Sequence, residues 1–70
     1  MIVLPSTPTT EKASEYLSQQ GIAHQVIPIP ESLGYKTGAD IAIYAEQDLS
    51  MTLTKARFVV MRVFREFKLD

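Results

Sequence analysis

The chain has 70 residues, 46 % of them hydrophobic, with no cysteine, one histidine and a formal net charge of −1. This length allows one domain, residues 1–70, and so short a chain buries only about 60 % of the surface it exposes when unfolded, a thin margin of stability. The lack of cysteine excludes disulfides and thiolate metal sites, and a single histidine, His24, removes most other metal chemistry, so self-association or a partner is the remaining source of added stability.

Met1-Ile2-Val3-Leu4 is an apolar run closed by Pro5, which predicts a buried strand over residues 1–4. Ser6-Thr7-Pro8-Thr9-Thr10 then reads as a helix start, with Thr7 as N-cap and Pro8 in the first helical position, where no N–H is needed. Ala13, Tyr16 and Leu17 give that helix one apolar face over residues 8–20. Gly21 ends it, with Leu17 and Ile22 placed for the hydrophobic contact of a Schellman cap. Residues 22–29 predict a second strand, which Pro28 and Pro30 confine to a sheet edge or terminate, because neither has an N–H to donate. Residues 31–38 form a loop punctuated by Gly34 and Gly38. A third strand follows over Ala39–Ala45, with Ile41 and Ile43 on one face and Ala42 and Tyr44 on the other.

Between Glu46 and Leu69 nothing of the Gly, Pro or Asn type interrupts the chain. Leu49, Leu53, Ala56, Val60, Val63 and Phe67 recur at spacings of four and three, which predicts one long C-terminal helix with Glu46 and Asp48 at its start. The alternative breaks this helix near Arg57 and makes Phe58–Phe64 a fourth strand, as Val59, Val60 and Val63 would favour. Charge is divided unevenly. Residues 1–50 hold two lysines against six acids, net −4, whereas residues 51–70 hold five cations against two acids, net +3. Cations complementing a helix C-terminus explain that split most simply.

The order and spacing of Leu4-Pro5-Ser6-Thr7, Gln20-Gly21-Ile22, Ile27-Pro28-Ile29-Pro30, Ile41-Ala42-Ile43 and Glu46-Gln47-Asp48-Leu49 resemble a family of small bacterial proteins of unknown function that carries the label selenium- or sulfur-carrier-protein-like. The resemblance covers roughly the first fifty residues and rests on the order of motifs that are individually unspecific. It implies a shared fold. The family's label rests on a Cys-Gly pair just before the Ile-Ala-Ile strand, where this chain has Ala39 and Asp40, and without a thiol no persulfide or selenide is held. The family also usually breaks with a glycine before a last strand, where this chain has none.

Ser6, Thr7, Thr9 and Thr10 put hydroxyls beside a helix N-terminus, which would suit an anion but which capping explains more simply. Gly34-Tyr35-Lys36-Thr37-Gly38 has the wrong spacing for a phosphate-binding loop and precedes a strand rather than a helix. His24 has no second ligand or nucleophile at a recognisable spacing. If the final helix is continuous, Met51, Phe58 and Met61 project from its outer side, with Arg62, Arg65 and Lys55 beside them. That composition suits an interface.

The expectation is therefore an α+β domain of order β-α-β-β-α, a ferredoxin-like half with a possible fourth strand and a long C-terminal helix. No catalytic apparatus and no cofactor are expected. The expected function is an interaction module that acts by self-association or by docking Met51, Phe58, Met61, Arg62 and Arg65 on a protein partner. Nucleic acid or an acidic membrane surface, met by Lys55, Arg57, Arg62, Arg65 and Lys68, is the less favoured partner, given the net charge. No apolar run reaches the about 20 residues of a membrane span, and no secretory signal pattern opens the sequence, so a cytoplasmic location is expected.

Overall fold

The first residues are apolar without alternation because the strand they form is covered on both faces. In the computed structural model, which describes residues 1–31 and 38–65, the elements run β1 (Ile2–Val3), α1 (Thr7–Gln19), β2 (Gln25–Pro28), β3 (Ile41–Tyr44), α2 (Ser50–Lys55) and β4 (Arg62–Val63). The strands form one antiparallel sheet in the order β2-β3-β1-β4, so β1 and β3 are central and β2 and β4 are edges. The register sets Ile2 opposite Ile43 and Val63, and Val26 opposite Ile43. The Met1 amino group donates to the Phe64 carbonyl at 2.9 Å, extending the β1–β4 pairing by one residue.

Side chains alternate between sheet faces, and two apolar clusters result. Ile2, Leu4 and Ile43 pack with Ala13 and Leu17 of α1 and with Leu49 and Leu53, so both helices lie on this face. Met1, Val3, Ile27 and Ala42 form the second cluster on the other face, with Ile29, Tyr44 and Phe64 packed against it. Truncating a fully buried member such as Leu4, Leu17 or Leu53 to alanine costs about 2–5 kcal/mol in comparable cores.

The start of α1 is one residue earlier than the sequence suggests. Ser6, not Thr7, is the N-cap, with extended φ −151° and ψ 161°, and its carbonyl accepts the Thr10 N–H at 3.0 Å. Thr7 and Pro8 are the first two helical residues, which a proline tolerates for the same reason as in first place: neither N–H has a partner inside the helix. The end is as expected. Gly21 has φ +70°, its N–H reaches the Ser18 carbonyl at 3.1 Å, and the Ile22 N–H reaches Leu17 at 2.9 Å, the two bonds of a Schellman cap. At Gly38 an added Cβ would lie 2.6 Å from the Pro5 carbonyl oxygen, so any other residue there must shift the backbone.

The long C-terminal helix is not formed. Helix α2 ends at Lys55, Arg57 takes φ +69°, and the chain then extends into β4. The cap has the same construction as that of α1: the Arg57 N–H donates to Thr54 and the Phe58 N–H to Leu53, each at 3.0 Å. Leu49 and Leu53 are buried and Val60 and Val63 pack on the same core, so the apolar stripe does face inward, but through a turn and an extended strand. Phe67, the last residue of that stripe, lies outside the described residues.

Candidate interaction surface

The surface is built by the segment that joins α2 to β4. Asp48 orders the entry to α2: its Oδ1 accepts the Ser50 N–H at 2.9 Å, and its other oxygen pairs with the Arg65 guanidinium. Bonds from the Ser50 hydroxyl and N–H, with Arg65 adding to them, draw the Asp48 pKa down to about 2. One carboxylate thus ties the helix start to the end of β4. At the far end of α2 the Schellman cap turns the chain by its left-handed residue, and the period of the pattern changes from helical to alternating. Phe58 and Val60 turn inward, while Val59 is 62 % and Met61 53 % exposed.

Of the residues expected to face a partner, Met51 on α2 is 65 % exposed, and Met61 is exposed as well. Phe58 is not on that surface. It is half-buried against the helix-side core, with its ring 6.0 Å from Tyr16 at a tilt of 54°, a pairing worth about 0.5–1.5 kcal/mol beyond burial. Arg62 is exposed, with its guanidinium 4.9 Å from the Phe64 ring centre, and Arg65 is engaged by Asp48. Val59 was missed because the assumed helix gave it no role; the available signal was the β-branched pair Val59-Val60 inside the apolar run of residues 58–61, which favours an extended segment. Of the cations considered for an anionic partner, Lys55 and Arg57 are exposed, while Lys68 lies outside the described residues.

The hydroxyls at the start of α1 are occupied locally. Ser6 Oγ accepts the Thr9 N–H at 3.3 Å and bonds Thr9 Oγ1 at 2.9 Å, and Thr10 Oγ1 donates to the Ser6 carbonyl at 2.9 Å. Thr7 Oγ1 accepts the Asp40 N–H at 3.0 Å and so anchors the residues before β3. This is capping and loop attachment. Ala39 is buried. Residues 34–37 of the glycine-bounded loop lie outside the described residues.

His24 has a closer partner than sequence spacing shows. The Ile22 carbonyl can only accept, so it takes the proton of Nδ1 at 2.9 Å, and Nε2 then accepts from the Ser14 hydroxyl at 2.7 Å. Together with Gln25, Tyr44, Glu46 and Gln47, His24 lines a cleft of about 470 Å³. A hydroxyl bonded to an oriented imidazole is the geometry of an activated nucleophile. Ser14, however, sits well inside α1, where backbone N–H groups are bonded along the helix and cannot stabilise an oxyanion. The pair instead fastens α1 to the residue preceding β2. Among the described residues no group of three His, Cys, Asp or Glu side chains could hold a metal ion, and no helix is long and apolar enough to cross a membrane.

Comparison with models of protein families, with curated proteins and with solved structures finds no match.

Proposed function

We propose that the chain is a small non-enzymatic interaction module that self-associates through the surface carrying Met51, Val59 and Met61. The observation behind this reading is that three large apolar side chains within residues 51–61 are each more than half exposed, at 65 %, 62 % and 53 %. An exposed methionine or valine is ordinary when scattered, but Val59 and Met61 alternate outward on the segment that enters an edge strand, a feature of interfaces. We read the architecture as ferredoxin-like, supported by the element order β-α-β-β-α-β and the strand order β2-β3-β1-β4. We also read the chain as a cysteine-less relative of the carrier-like family. The turn at Arg57 before β4 favours this, because that family usually breaks before a last strand.

Solution mass measured by light scattering over a concentration series tests the function. The native chain should show a dimer at high concentration that Val59→Ser with Met61→Ser dissociates, while circular dichroism stays unchanged. A native chain that is monomeric throughout overturns the reading. Phe58→Ser is unsuitable as a probe, since it would disturb the core through Tyr16.

A further inference from the structure

Resting on the self-association reading, we infer that the second copy adds at the β4 edge, antiparallel and centred on Val63, to continue the sheet across a twofold axis. The two edges of the sheet differ in what they offer. On β2 the Ile29 N–H bonds the Asp40 carbonyl at 3.1 Å, and backbone groups alternate from there, so Ile27 and Gln25 turn toward β3 while Val26 and Pro28 turn outward. Pro28 therefore removes a donor from the open side of β2, the usual way an edge is closed to a further strand. On β4, Phe64 exchanges both of its backbone bonds with Met1, at 2.8 and 2.9 Å. Val63 is the adjacent, non-bonded partner of Ile2, so its N–H and carbonyl point away from β1. No proline occurs after Pro30 to block that edge.

A second copy suits this edge because the sequence is self-complementary about Val63. If Val63 exchanges two hydrogen bonds with Val63 of the second copy, Arg62 comes opposite Phe64 of that copy on the same face, and the reverse holds by symmetry. Cross-strand neighbours of this kind are the stabilising unit of a sheet, and the Arg62 guanidinium already lies 4.9 Å from a Phe64 ring within one chain. No arginine faces an arginine. The pairing is short, since the Met61 N–H is given to the Val3 carbonyl at 2.9 Å and Arg65 turns away from the strand to Asp48. A contact between β4 of one copy and β2 of another would be head-to-tail and open-ended, and Pro28 opposes it; the twofold contact closes at two copies.

Hydrogen exchange of the Val63 amide, followed by NMR on the native chain at low and high concentration, tests the edge directly without a variant. Its exchange should slow by about tenfold where the dimer dominates, while the outward amide of Val26 on the other edge is unaffected. A dimer by light scattering in which Val63 exchanges at an unchanged rate overturns the β4 edge and leaves self-association standing. A chain that stays monomeric overturns both.

Discussion

Two residues with positive φ turn the chain at the ends of the two helices, Gly21 at +70° and Arg57 at +69°, and they are chemically unequal. In this region a Cβ crowds the following carbonyl, at a cost of roughly 1–2 kcal/mol. Arg57 bears that cost; Gly21 does not. Replacing Arg57 by glycine should therefore raise stability in urea unfolding by about 1 kcal/mol, after allowing for the greater freedom of glycine in the unfolded chain. Gly21→Ala should lower it by a similar amount, and there the effect is purely conformational, since an added Cβ would meet no atom within 4 Å. An Arg57→Gly variant with lowered stability would show that the arginine side chain contributes more than its backbone loses.

At the level of elements, one carboxylate links the start of α2 to the residue after β4, beside the core packing and strand pairing that hold the same segment. Asp48 titrates at 3.8 when unperturbed and about 2 in the folded chain, chiefly through its bonds from Ser50, so the unfolded form takes up the proton first. Its stabilising contribution is complete above the unfolded value and disappears as pH falls from 3.8 to about 2. Thermal unfolding of the native chain and of Asp48→Asn should converge over that interval. A gap that stays constant would separate Asp48 from the acid response. The same segment shows where the sequence could be read and where it could not. Helix α1, its Schellman end and the three strands before α2 were legible, because Gly21, Pro28 and the Ile-Ala-Ile alternation are strong local signals. The second cap was legible only as the alternative that breaks the helix near Arg57, because it is built on arginine rather than glycine, and spacings of four and three matched a helix as well as a turn followed by an extended strand. The exposed Val59 was hidden by the same ambiguity, whereas Met61 was placed outward by the helical reading as well. The Ser14–His24 bond was hidden differently, since it joins a helix to the approach of a strand and follows no periodicity.

Across the whole molecule, the two edges of the sheet set how far it can grow. If β4 recruits a second copy and Pro28 guards the opposite side, removing the guard should alter the stoichiometry rather than the affinity. Pro28→Thr should give species heavier than a dimer in sedimentation velocity at high concentration; a variant that stops at the dimer would assign the limit to something other than proline. The central position of β1 has a separate consequence, for folding. Met1, just before it, bonds a residue 63 positions further along the chain. Contacts this distant in sequence must close a long loop before any stabilisation is gained, and they slow folding accordingly. During synthesis, α1, β2 and β3 are complete while one side of β1 still lacks its neighbour. That side of β1 stays unpaired until residues 61–64 are in place, so the sheet closes there last.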